Sequence, residues 1–311
     1  MPRTLITILG GLFSFFLFSA SGTFGPAAVA TNLLVPLAPA YLGMRFGIGS
    51  AGIAVLIAGG LLLAGAGAGD AVMYILQFGV MATALPWFLR NVRRWDRAVA
   101  YALVVVMAAT LLGLLGYSAL QGKGPVVLVD EIIQGEIAQT SAFMNSMFAD
   151  SASTSADAAE LAVMVERMAE FMSRVYPGMV VLVSGLVMLA IVGLLGAISQ
   201  GHYRMPGPVF AEWKAPELLV WFLIGSGFLV VLAGGTVQTV AMNLLVILLP
   251  VYFLQGLAVI DCFFRRKALS PLLRVLGYIM VTLVNPLPVF VTGIGVFDLW
   301  IDFRKPREQK D

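Results

Sequence analysis

The sequence predicts an all-α, polytopic integral membrane helical bundle. It has about eight full spans plus a Pro-broken C-terminal helix or hairpin, and an amphipathic helical hairpin outside the membrane. Three observations predict it. Hydrophobic residues make up 60% of the 311 and charged residues only 12%, against about 25% charged in average soluble proteins. The mean hydropathy is +0.95, and several apolar runs reach the roughly 18 residues that mark a bilayer span. Lys and Arg gather in the short loops that fall on one side of the resulting spans, as they do on the cytoplasmic side of membrane proteins.

The candidate spans are 5–22, 27–44, 48–68, 71–89, 98–119, 177–198, 217–234 and 237–260, followed by the broken stretch 271–303. The first run is read as a retained helix, because no A-x-A-like site leads from it into a soluble domain. "RNVRRWDR" (90–97) and "DCFFRRKALSPLLR" (261–274) each carry four basic residues and lie on the same side as Arg3 and Arg45. That side, with the N-terminus, is expected to be cytoplasmic. The long loop 121–176 then falls outside, and its eight acidic residues against Lys123, Arg167 and Arg174 agree with that orientation. Within it, Leu161, Met164, Val165, Met168, Phe171, Met172 and Val175 repeat at helical spacing, as do Ile132, Ile133, Ile137, Met144 and Met147. "ADSASTSADA" between them supplies a turn with N-cap residues. The division expected is an N-terminal membrane bundle over 1–120, the external hairpin over 121–176 and a C-terminal membrane bundle over 177–311 with a short basic tail.

The ending is read as a return to the cytoplasm. Two full crossings need roughly 40 residues, and the stretch 271–303 is too short for them. "VNPLPVF", with Asn285, Pro286 and Pro288, breaks the stretch at its middle. Backbone groups freed there need protein or water partners, so the break is expected to be buried in the bundle.

Polar groups in spans are functional candidates, because burial in lipid is costly. "TNLLVPLAPAY" (31–41) and "MNLLVILLPVY" (242–252) share an Asn seven residues before a Pro and nine before a Tyr. If the match is an internal repeat rather than chance recurrence in apolar sequence, Asn32 and Asn243 face one another at a substrate-binding site, with Asn285 at the broken helix a third contact. Asp70, after "GAGAGD", is read as an interfacial carboxylate at a helix N-terminus. Asp298 and Asp302 share one helical face, four residues apart. With Arg304 they form a structural charge lock on the last helix or, on the sharper reading, an ion site. An arginine of 90–97 or 265–266 is the expected partner of Asp298, and Asp298 the more buried acid.

A single Cys262 leaves no internal disulfide, and a single His202 no His-rich metal cage. No zinc-hydrolase, Walker A or Ser/His/Asp pattern occurs, so neither an enzyme nor a cofactor is expected. The net charge of +2 gives no reason to expect nucleic acid as a partner; the expected partners are the lipid bilayer and an ATPase or other membrane protein.

"GVFDLWIDFRK", "FAEWKAPELLVWFLI" and "VPLAPAYLGMRFGIGSAGIAVLIAGGLLLAGAGAGDAV" resemble the bacterial DUF2232 family of YybS-like membrane proteins. The strongest piece is Gly295, Asp298, Asp302, Phe303 and Arg304. The N-terminal half is more distantly similar to the substrate-capture (S) components of energy-coupling-factor transporters. The resemblance implies a multi-pass protein of the bacterial cytoplasmic membrane, and a capture role would require an energising partner. A membrane scaffold or regulator, binding proteins through the external hairpin or the cytoplasmic loops, is the alternative.

Overall fold

A computed structural model of the chain describes residues 2–21, 28–125, 127–131, 134–135, 138 and 155–305. Every regular element among them is helical, which makes the protein an all-α membrane bundle. The chain separates into two compact units, Met1–Asp130 with Val183–Gly207, and Glu131–Leu182 with Pro208–Asp311.

The first unit holds α1 (Arg3–Ser21), α2 (Ala28–Leu34), α3 (Leu37–Phe46), α4 (Ile48–Gly65), α5 (Ala68–Tyr74), a π-helical turn (Ile75–Gly79), α6 (Val80–Asn91) and α7 (Trp95–Gln121), together with the later part of α8 (Ser155–Ile198). Two apolar clusters organise it. Ala40, Met44, Leu85, Ala102 and Ile191 join α3, α6, α7 and α8. Val35, Val55, Leu62, Tyr74 and Phe78 join the α2–α3 break to α4, α5 and the π turn. Gly122, at φ +65°, closes α7 in the left-handed conformation, and the Lys123 amide returns to the Ser118 carbonyl at 3.3 Å.

The second unit holds the earlier part of α8, a 3-10 turn (Phe210–Glu212), α9 (Leu218–Leu232), α10 (Gly235–Arg266), α11 (Pro271–Leu283) and α12 (Leu287–Ile301). Its tightest contact is between α10 and α12. A Cβ on Gly256 would overlap the Val291 carbonyl, and one on Gly295 the Tyr252 carbonyl, so the two backbones touch. Small residues permit such approach in membrane helices, where packing rather than the hydrophobic effect drives association.

Among the described residues six helices are long and apolar enough to cross a membrane, or seven if α11 and α12, bent by 101°, make one span. This is fewer than the eight-plus expected, for two local reasons. The 27–44 run is split into α2 and α3 by a turn at Val35–Pro36, because Pro36 and Pro39 donate no backbone hydrogen bond. The 217–234 run yields only the 15 residues of α9, about 22 Å at 1.5 Å per residue against a core of about 30 Å.

Two further expectations are corrected. The start expected at 177 is interior to a helix, since α8 runs through Pro177 for 44 residues. The arm from Ser155 is therefore continuous with the following span; the turn and most of the first arm of the expected hairpin lie outside the described residues. The break at residues 284–286 is exposed rather than buried in the bundle. Part of its backbone is satisfied locally: Pro286 and Pro288 have no N–H to satisfy, and the Leu287 and Val289 amides bond the Val284 and Pro286 carbonyls at 2.8 and 3.1 Å.

Candidate functional site

In the second unit, α12 turns Val291, Gly295 and Asp298 inward along one face, at the i, i+4, i+7 spacing of a helix stripe. Asp298 is 0% exposed. The helix ends at Asp302, whose φ of +48° is left-handed, a conformation that Asp tolerates better than most residues. That reversal folds Arg304 back over the helix end. Arg304 Nη2 donates to Asp298 Oδ2 at 3.0 Å and Nη1 to the Ala211 carbonyl at 2.9 Å. The expected arginine partners are thus replaced by Arg304, six residues along the chain. Arg265 instead pairs with Asp261 at 2.9 Å, Arg266 donates to the Arg304 carbonyl, and Arg94 pairs with Asp96 at 2.9 Å.

Gln255, also 0% exposed, ties the pair to the preceding segment. Its Nε2 donates to Asp298 Oδ2 at 3.3 Å, and its Oε1 accepts from the Ala215 amide at 3.1 Å. Lys214 reaches Asp302 Oδ1 at 3.0 Å, and Lys305 reaches Oδ2 at 3.5 Å. The Lys214 hydrogen bond, ahead of the opposing effect of burial, holds the Asp302 carboxyl below the usual aspartate range. Residues 211–215 are strapped across the end of α12 by these bonds. Asp298 Oδ1, Arg304 Nε and the Tyr252 hydroxyl remain buried without hydrogen-bond partners. Gln255 and Lys214 were not singled out in the sequence; the only signal for Lys214 was its place in "FAEWK", and Gln255 carried none.

Asn243 is part of a different arrangement in the same unit. Pro177 frees the local backbone of α8, and Asn243 inserts its amide there. Oδ1 accepts from the Gly178 amide at 2.6 Å, and Nδ2 donates to the Arg174 carbonyl at 2.8 Å. In an unbroken helix those two groups would bond each other. Nδ2 also donates to the Thr239 carbonyl at 2.8 Å. Asn285 is exposed at the α11–α12 break.

In the first unit, Pro39 deprives the Val35 carbonyl of its helical donor. Ser14 Oγ supplies one at 2.9 Å, and the Tyr74 hydroxyl lies 2.8 Å from the same Ser14 oxygen. Ser14, Val35 and Tyr74 are all at most 1% exposed. Asn32, half-buried on α2, has Oδ1 buried without a hydrogen-bond partner. Asp70 lies exposed in the first turn of α5. No group of three or more His, Cys, Asp or Glu side chains placed to hold a metal occurs among the described residues.

The apolar spans and interior polar bonds define a polytopic helical membrane protein. A family model described as "Predicted membrane protein (DUF2232)" matches residues 12–299, and the chain belongs to that family. No curated protein and no solved structure matches, and the likeness to energy-coupling-factor capture components gains no support from these comparisons.

Proposed function

We propose that the protein is a small-solute binding subunit of a bacterial cytoplasmic membrane, working with an energising membrane-protein partner, and that both termini are cytoplasmic. The observation that carries the reading is the discontinuity between α2 and α3. A helix broken inside a membrane is tolerated where protein or a polar cavity satisfies its backbone, and such breaks form substrate sites in transporters. Here Ser14 donates to the freed Val35 carbonyl and is itself bonded by the Tyr74 hydroxyl, while Asn32 Oδ1 on the adjacent half-helix is left to accept a hydrogen bond. Asn32 Oδ1 is a neutral acceptor, which suits an uncharged hydrogen-bond donor on the solute. The test is purification in mild detergent followed by mass spectrometry of retained small molecules and co-purifying proteins. A stoichiometric polar solute together with an ATPase supports the reading; neither one appearing speaks against it.

A scaffold or regulatory role is the second reading. Val163, Met164 and Met168 expose an apolar stripe on the arm of α8 that precedes its span at Glu170, each residue 48–67% exposed. Met-rich faces adapt to varied protein partners.

A further inference from the structure

The first unit contains a second feature, separate from the α2–α3 discontinuity. The ends of α3 and α6, the turn after α6 and residues 202–206 line an open cavity of about 540 Å³. Arg45, Arg90, Arg93, His202 and Arg204 line it, and no carboxylate does. None of the four arginines forms an ion pair among the described residues. Asp96, close in sequence to Arg93, is engaged by Arg94 at 2.9 Å.

The guanidiniums are partly pre-positioned. Arg90 Nη1 donates to the Gly43 and Met44 carbonyls at 3.1 and 3.4 Å, at the end of α3. Arg45 Nη1 donates to the Tyr41 hydroxyl at 2.8 Å, and its guanidinium lies 5.0 Å from the Phe46 ring centroid. Tyr203 anchors the opposite wall, with its hydroxyl on the Leu195 carbonyl at 2.8 Å and its ring edge-on to Tyr41. Four like charges around one cavity repel unless an anion offsets them. A general preference for basic cytoplasmic loops accounts for the charge. It does not account for a cavity or for guanidiniums held by backbone and aromatic partners.

We propose that this cavity binds a phosphate-bearing anion. Its volume falls within the roughly 300–1,000 Å³ of small-molecule sites, and planar, forked guanidiniums match phosphate oxygens in pairs. The same chemistry is presented by an anionic phospholipid headgroup at the cytoplasmic leaflet and by a soluble phosphate ester.

The experiment uses the full chain in phosphatidylcholine nanodiscs. One arm titrates glycerol 3-phosphate by calorimetry. The other measures retention of phosphatidylglycerol by native mass spectrometry after reconstitution from mixed phosphatidylcholine and phosphatidylglycerol. Arg93→Lys/Arg204→Lys keeps the loop charge while removing the forked donors, and Arg45→Gln is a second, independent variant. The proposal expects saturable binding of at least one probe. It expects that binding to weaken about tenfold or more in the double variant while the melting temperature is unchanged. Binding confined to the first arm identifies a soluble ester, and binding confined to the second a lipid. Failure of both probes to bind the wild type overturns the proposal. So does binding of equal strength in the double variant and in Arg45→Gln.

Discussion

Arg304 bonds the carboxylate of Asp298 at 3.0 Å although the two are six residues apart, because α12 stops at a left-handed Asp302 between them. Both side chains are buried, at 8% and 0% exposure. Breaking a buried pair by removing one partner commonly costs about 3–5 kcal/mol, since the other charge stays behind unpaired. Asp298→Ala and Arg304→Ala should each lower thermostability in detergent by an amount on that scale. The double variant should lose less than the sum of the two. Additive losses in a double-mutant cycle would mean that the two groups act independently.

Asp302 is more exposed, at 25%, and its partners Lys214 and Lys305 are 41% and 79% exposed. Exposed pairs contribute about 0–1 kcal/mol. Asp302→Ala should therefore be much milder than Asp298→Ala. A larger loss from Asp302→Ala would reverse the ranking.

The pH dependence follows from the Asp302 carboxyl, which Lys214 holds below its ordinary value of 3.8. A carboxyl whose folded value is depressed stabilises the fold above its unfolded value, and that stability is lost as pH falls through the folded value. Asp302→Asn should lower stability slightly near neutrality, where the pair with Lys214 is intact, and converge on the wild type below about pH 4, which flattens the acid limb. Thermal unfolding followed by intrinsic fluorescence across that range checks it. An unchanged acid limb in Asp302→Asn would remove Asp302 as its source.

Asn243 and Gly178 should behave as one unit. A Cβ on Gly178 would lie 2.9 Å from both the Asn243 carbonyl oxygen and Oδ1, tight enough to push α10 from α8. Asn243→Leu leaves the Gly178 amide without its partner, at about 1–3 kcal/mol for a buried donor. Gly178→Ala and Asn243→Leu should each destabilise, and combining them should add little. A fully stable Gly178→Ala would show that the helices have room there.

Much of the architecture was legible because hydropathy alone locates membrane helices. The NPLP break, the exposed Asp70 at a helix start and the greater burial of Asp298 over Asp302 all follow from local sequence. What was not legible depends on tertiary partners. Val35 needs Ser14, Pro177 needs Asn243, and Asp298 needs a chain reversal that its own helix pattern does not announce. Span count failed where prolines divided 27–44 and where 217–234 formed a helix shorter than its apolar run. The basic cavity joins Arg45, Arg90 and Arg93, read from the sequence for orientation, to Arg204 and His202 far along the chain, a meeting that charge in a sequence does not reveal.

Membrane orientation can be read from the arm of α8. Met164, 67% exposed, should lie outside the cytoplasm by the charge asymmetry of its loop. Met164→Cys in a Cys262→Ser background should react with an impermeant maleimide in intact cells, after permeabilising any outer membrane. Labelling only after lysis would invert the topology.

Solute binding at the α2–α3 discontinuity is tested most directly by native mass spectrometry of the wild type beside Asn32→Leu and Asn285→Leu. The account predicts a small molecule released from the wild type and from Asn285→Leu, and lost from Asn32→Leu with the melting temperature unchanged. Retention in Asn32→Leu, or no bound molecule in any of the three, would contradict it.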